Sequence, residues 1–252
     1  MIDRAEIMTK AIQFRKELNE DGSSPIDIFA AAGSIEGLSI VFYPMGEKLS
    51  GMCVKGSGNS CTIGINSEMT LGRQRFSLAH EFYHMRYDNT TVSLCGKKIG
   101  DGKQIEKEAD LFASYFLMPN DELIRKAELC AAKRPNNKII FDDIIRIEQY
   151  FGVSHRATVL RLKENKILSW READDYLMMS AKSRAKELGF SGELYEPLPS
   201  KRRYGTYGAY IAQADSLLNR DLISEGKYES LLLDAFRADL VYGDDGDGDI
   251  ID

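Results

Sequence analysis

The chain has 252 residues, 43% of them hydrophobic and 29% charged, with a formal net charge of −6. That length holds one large or two small domains with a real core. The start, Met1-Ile2-Asp3-Arg4-Ala5-Glu6, is charged and lacks an apolar stretch of signal length, and no window approaches a membrane span. Cys53, Cys61, Cys95 and Cys130 are scattered without C-x-x-C spacing, so reduced thiols and a cytoplasmic location are expected. Cys53 and Cys61 could face each other across a hairpin, but a structural disulfide is not expected in that compartment. Residues 239–252 hold six aspartates and no lysine or arginine, which accounts for the whole net charge and leaves the body near neutral. This glycine-rich acidic run lacks the spacing and the closing glutamate of a calcium loop, so a disordered tail is expected.

In chain order, Ala5 to Leu18 has helical periodicity through Ile7, Met8, Ala11, Ile12 and Leu18. After a loop at Asp21 to Ser24, Ser24-Pro25 predicts a short helix to Ala32, with serine as its cap and Gly33 as its stop. Three β-like runs follow at Leu38–Tyr43, Gly51–Lys55 and Cys61–Ile65, the last two flanking a hairpin turn at Gly56-Ser57-Gly58-Asn59-Ser60. Arg75 to Arg86 reads as a helix with a broad apolar surface, and Ile105 to Pro119 as a second. The polar linker between them, Asp88 to Lys103, reads as a flap or a disordered loop.

Beyond Pro135 the pattern is helical. Phe141–Phe151 and Ser154–Lys163 around Gly152-Val153 resemble a helix-turn-helix, with Arg156, Arg161 and Lys163 on its second helix. Ser169-Trp170-Arg171-Glu172 is a capping box that opens a helix to about Leu188. Two more helices are predicted at Gly208–Asn219 and Glu225–Leu240, preceded by a loop with Pro197, Pro199 and the basic cluster Lys201-Arg202-Arg203. The expected organisation is an α+β domain with a small sheet over 1–135, an all-helical region over 136–238, and the acidic tail over 239–252.

The chemistry concentrates in His80-Glu81-Phe82-Tyr83-His84. H-E-x-x-H on a helix places two imidazoles one turn apart with a carboxylate beside them, the minimal kit of a zinc-dependent hydrolase. The chain has three histidines, and this pentapeptide uses two of them. The third, His155, reads as a polar residue near a helix start. Burying two histidines and a glutamate in an apolar helix is costly unless they are paired or bound to metal.

A third ligand is expected from the second helix, where Glu106 and Glu108 are separated by about 200° of rotation and point to opposite sides. Glu106 shares its face with Ala109, Asp110 and Ala113. Small alanines permit close approach, and Asp110 can accept a hydrogen bond from a ligating imidazole. Glu106 is therefore the expected third ligand, Asp110 the residue behind the ligands, and Glu108 the one facing away.

These residues carry a resemblance. Arg75-Phe76-Ser77-Leu78-Ala79-His80-Glu81-Phe82-Tyr83-His84, then Glu106-x-x-Ala109-Asp110-x-Phe112-Ala113 and Phe116-Leu117-Met118-Pro119, resemble the ImmA/IrrE family of metallopeptidases. Pro25-Ile26-Asp27-Ile28, Ser50-Gly51 and Ile65-Asn66 extend the likeness to roughly residues 5–170. Asp110 departs from the asparagine commoner there; both accept a hydrogen bond. The resemblance implies a zincin-like fold, in which a sheet edge beside the metal helix receives an extended substrate by strand addition. The hairpin spanning residues 51–65 is the expected edge.

The expected mechanism has Zn²⁺ held by His80, His84 and Glu106, with Glu81 taking a proton from the attacking water and returning it to the leaving amine. Tyr83, Tyr87 and Tyr115 are candidates for an additional oxyanion donor. Family members are similar in disabling helix-turn-helix repressors of mobile elements, toxin–antitoxin pairs or stress regulons. The expected function is thus a cytoplasmic endopeptidase acting on such a repressor or antitoxin. The alternatives are a metal-binding regulator that sequesters the repressor without cutting it, or a DNA-binding regulator with a structural zinc. Against DNA stand the near-neutral body and Asp142, Asp143 and Glu148 on the first helix of the helix-turn-helix, so direct nucleic-acid contact is not expected.

Overall fold

The computed structural model describes residues 2–96 and 103–243. Helix α1 (Arg4–Glu17) begins where the Asp3 carboxylate accepts hydrogen bonds from the N–H groups of Ala5 and Glu6 at 3.0 and 3.1 Å, satisfying donors that the first turn leaves open. Helix α2 (Ile28–Gly33) starts later than Ser24-Pro25 predicts. Its cap is Asp27, which accepts from the N–H groups of Phe29 and Ala30. The Ser24 carbonyl is instead taken by the guanidinium of Arg15, so this stretch serves as a tie rather than a helix start.

Strands β1 (Leu38–Tyr43), β2 (Leu49–Lys55) and β3 (Cys61–Asn66) precede helix α3 (Leu71–Tyr87). Strand β4 (Val92–Gly96) and helix α4 (Gln104–Leu117) follow it. One sheet has the order β4-β2-β3-β1-β5, its last strand being β5 (Gly205–Gly208) far along the chain. β1 and β3 are parallel, and the other pairs are antiparallel. The hairpin of β2 and β3 therefore lies inside the sheet and corrects the expected edge: β4 covers β2, and β5 lies against β1. β4 falls within the linker read as a flap, whose residues 97–102 lie outside the described residues. Of the acidic tail expected to be disordered over 239–252, residues 239–242 are helical instead, and those from 244 onward lie outside the described residues.

The rest is helical save for β5: α5 (Asn120–Ala131), α6 (Phe141–Phe151), α7 (His155–Glu164), α8 (Trp170–Leu177), α9 (Ala181–Glu187), α10 (Ala209–Asn219), α11 (Glu225–Asp234) and α12 (Ala238–Tyr242). The fold is α+β, with its small sheet gathered around α3 and a helical C-terminal part. Two predicted helices are each divided. The capping box of Ser169 and Glu172 opens α8, which stops at Met178 before Ser180 starts α9. Phe236, at φ +58°, breaks the last helix between α11 and α12. This conformation is strained for a bulky residue, and it sets the ring against Tyr43 and Tyr204 at 5.8 and 5.5 Å.

The core runs continuously from Ile7 to Ala173. α4 packs on α3, and α1 packs on α4. Phe14, Phe82, Phe112 and Phe116 lock the three helices, with Phe14–Phe82, Phe82–Phe116 and Phe112–Phe116 ring centroids 5.5, 5.8 and 5.7 Å apart. Beside that core the half-buried His155 joins α6 to α8: Nδ1 lies 2.8 Å from Glu148 Oε2, and Nε2 lies 2.9 Å from the Tyr176 carbonyl.

Arg15 is fully buried and donates to the carbonyls of Asp21 at 2.7 Å, Phe116 at 2.6 Å and Ser24. It thus ties α1 to the end of α4 and to the following loop. Hydrogen bonds from a charged donor contribute more than neutral ones, and a buried carbonyl left without a partner is costly. Arg15→Leu should lower stability by about 3 kcal/mol in urea denaturation. A loss below about 1 kcal/mol would mean that these carbonyls find other donors.

Candidate metal centre

Four residues turn an α-helix by a little more than a full circle, so α3 carries His80 and His84 on one face. Both are buried, and their Nε2 atoms lie 3.2 Å apart. Ala109 and Ala113 on α4 are fully buried and small, which lets α4 come close enough for Glu106 to reach both rings. Its Oε2 is 3.3 Å from His80 Nε2 and its Oε1 is 3.5 Å from His84 Nε2. Glu108 turns away and accepts from the Tyr83 hydroxyl at 2.8 Å and from the Gln104 amide at 2.7 Å.

The donor set fits a tetrahedral ion. Ligand bonds of about 2.0–2.2 Å, the range for zinc to nitrogen and oxygen, give tetrahedral edges of about 3.3–3.6 Å. The three spacings of 3.2, 3.3 and 3.5 Å are close to that range. The Cys95 Sγ joins the same group, all four ligand atoms lying within 4.8 Å of one another.

Each ring has a carboxylate behind it. Asp110 Oδ1 lies 2.8 Å from His80 Nδ1, and Asp88 Oδ2 lies 2.8 Å from His84 Nδ1. Nδ1–H donating to a carboxylate leaves the Nε2 lone pair free for a metal. Burial pushes Asp88 up, but hydrogen bonds from Thr90 and His84 outweigh it and hold the carboxyl at about 2.

The two imidazoles are driven apart when no metal is bound. Burial pushes His80 down, but its hydrogen bonds to Asp110 and Glu106 win and raise it to about 9. His84 is lowered, first by burial and then by the charge of His80.

Glu81 points toward the sheet. It is fully buried, and a Cβ at position 51 would lie 2.7 Å from its Oε1, so glycine on β2 admits the carboxylate. Burial raises Glu81 to about 7. Neither oxygen has a hydrogen-bond partner among the described residues, although the Ser93 hydroxyl and the Cys95 thiol lie alongside.

Sequence reasoning brought His80, Glu81, His84, Glu106 and Asp110 forward, and the structure gathers all five. It missed Asp88 and Cys95. Asp88 follows His84 by four residues, a spacing that places it one turn further along the same face, so its signal was present. Cys95 lies on a strand that no pattern revealed. Of the tyrosines, Tyr83 donates to Glu108, Tyr87 donates to the Lys10 carbonyl at 3.2 Å, and Tyr115 lies beneath the Arg161 guanidinium at 4.4 Å.

A peptidase family model described as the IrrE N-terminal-like domain matches residues 36–163. That span runs from just before β1 into α7 and contains every residue of this centre. No curated protein matches the chain.

The geometry separates the two glutamates. Glu106→Ala should lose stoichiometric metal, and Glu108→Ala should keep it, as measured by elemental analysis after dialysis. Asp88→Ala should weaken metal binding by about 10- to 100-fold in chelator competition. Loss of metal in Glu108→Ala alone would overturn the arrangement.

Proposed function

The chain belongs to the IrrE N-terminal-like peptidase family, and from that premise we propose that it is a zinc-dependent cytoplasmic endopeptidase. The observation that carries this reading is Glu81, a buried carboxylate without a hydrogen-bond partner among the described residues, beside two imidazoles and a carboxylate at tetrahedral spacing. Two nitrogens and one oxygen with a position left over is a donor set of catalytic zinc sites. When bound there, zinc acidifies a water molecule and polarises the scissile carbonyl.

The protein's own residues do the remainder. Asp110 and Asp88 hold the rings of His80 and His84 in the orientation and tautomer that present Nε2. Glu81, close to neutrality in its acidity and outside the ligand set, takes the proton of the attacking water and delivers it to the leaving amine. Its buried surroundings exclude competing solvent.

A cleft of about 710 Å³ opens beside the centre, lined by His80, Glu106, Val92, Ser93 and Leu94. β4 is an edge strand, and Val92 and Leu94 stand exposed on it. Unpaired backbone groups next to exposed apolar side chains suit an extended peptide added as a further strand. The resemblance to repressor-directed peptidases makes a helix-turn-helix repressor or antitoxin the proposed substrate. The helical part, residues 136–238, would dock or restrain it.

A protein partner is also favoured over DNA by the second helix of the helix-turn-helix. Arg161 is buried against Tyr115 and bonded to the Met118 carbonyl, and the Lys163 ammonium sits 3.9 Å from the centre of the Trp170 ring. No helix among the described residues is long and apolar enough to cross a membrane.

The test is incubation of the zinc-loaded protein with the repressor encoded beside its gene, read by mass spectrometry. Fragments are expected from the parent protein and none from Glu81→Gln, which should still bind metal. Full cleavage by Glu81→Gln would remove the assigned base.

The same variant should change stability in the opposite direction. The folded carboxyl titrates at about 7 rather than 4.5, so its burial costs nothing below about pH 4.5, an increasing amount from there to 7, and the full amount above. That full cost is on the order of 3 kcal/mol, and a neutral amide avoids it. Metal-free Glu81→Gln should therefore resist urea better than the metal-free parent at pH 8, with the difference fading toward pH 5.

A further inference from the structure

We propose that Cys95 is a fourth ligand of this metal, and that its thiolate, by filling the position a substrate water requires, keeps the peptidase latent. The proposal rests on the zinc-peptidase reading and adds to it a state in which the centre is closed.

Three independent features bring the sulfur there. The first is distance: Sγ lies within 4.8 Å of the donor atoms of His80, His84 and Glu106. A zinc–sulfur bond of about 2.3 Å asks for about 3.6 Å between the sulfur and each of the other donors.

The second is the strand geometry. β2 and β4 shift register between Leu49 and Gly51, and irregularities of this kind re-aim a side chain beside a site. Ser50 occupies the irregular position and donates its hydroxyl to the carbonyls of Cys95 and Gly96 at 3.2 and 3.0 Å. Cys95 is thereby held opposite Gly51, the glycine against which Glu81 presses. Val92 and Leu94 face outward and Cys95 is fully buried, so the alternation of β4 sends the thiol inward.

The third is Glu81 itself, whose two buried oxygens have no hydrogen-bond partner among the described residues and lie alongside the Cys95 thiol. It supplies the acceptor that the closed state needs. As the sulfur–metal bond forms, the S–H bond breaks and its proton passes to Glu81. On opening, the sulfur leaves the metal and takes that proton back, and Glu81 is again a free base. No oxidant or reductant takes part. The closed state therefore disables two elements together, the open coordination position and the base.

Cobalt(II) tests this without any substrate, because a thiolate ligand gives an intense sulfur-to-cobalt absorption in the near ultraviolet. The full-length parent protein loaded with one cobalt should show that band. Cys95→Ser should bind cobalt, retain Cys53, Cys61 and Cys130, and lack the band. Acetohydroxamate, which needs the open position, should bind the cobalt form of Cys95→Ser at least tenfold more tightly than it binds the parent. Cobalt bound without a thiolate band in the parent would overturn the role of Cys95 and leave the proposed function standing. A band that persists in Cys95→Ser, or equal hydroxamate affinity in the two proteins, would also overturn it. A parent protein that takes up no cobalt at all would remove the metal centre, and this inference with it.

Discussion

The contact on which the site depends is the close approach of α4 to α3. Glu106 reaches both histidines because Ala109 and Ala113 leave no bulk between the helices, while Phe112 and Phe116 on α4 stack into a cluster with Phe14 and Phe82. Aromatic packing and small residues act together here. The first supplies the burial that drives the helices together, and the second sets how near they come. A larger residue at 109 or 113 would hold the carboxylate away from the Nε2 atoms even though every candidate ligand remained in the chain.

Around that contact the charges are arranged in a graded way. His80 and His84 each lean on a carboxylate at 2.8 Å, so their ring orientations are set before any ligand arrives. Glu81 is treated differently: it is fully buried, and its oxygens have no bonding partner among the described residues. Such a group weakens the fold, and its persistence beside a donor set is the pattern expected where reactivity and stability conflict. Gly51 on β2 makes room for it, Cys95 on β4 sits opposite Gly51, and Val92, Ser93 and Leu94 of the same strand line the cleft. The edge of the sheet is thus part of the site rather than a wall beside it.

Much of this was legible in the residues. The spacing of His80 and His84, the opposed directions of Glu106 and Glu108, and the position of Asp110 follow from helical geometry. Such geometry is local, so a one-dimensional reading recovers it. The strands were harder. β4 is five residues long and β5 four, too short for an alternating pattern, and each exists because a neighbouring strand offers hydrogen-bonding groups. Reading their segments as loops placed the sheet edge at the β2–β3 hairpin, which the structure puts in the interior. The start of α2 shifted for a similar reason, since Arg15 competes for the Ser24 carbonyl from another element.

By itself, the sequence determined the α3 and α4 helices, the faces they turn to each other and the residue types gathered there, because helix periodicity and ligand chemistry act over a few residues. The tertiary structure alone decided which strand borders the cleft, that Asp88 backs His84, that Glu81 is buried against Gly51, and that Cys95 stands with the histidines. Those outcomes depend on hydrogen bonds and close approaches between segments distant in the chain, and on a burial that exists only once the segments meet.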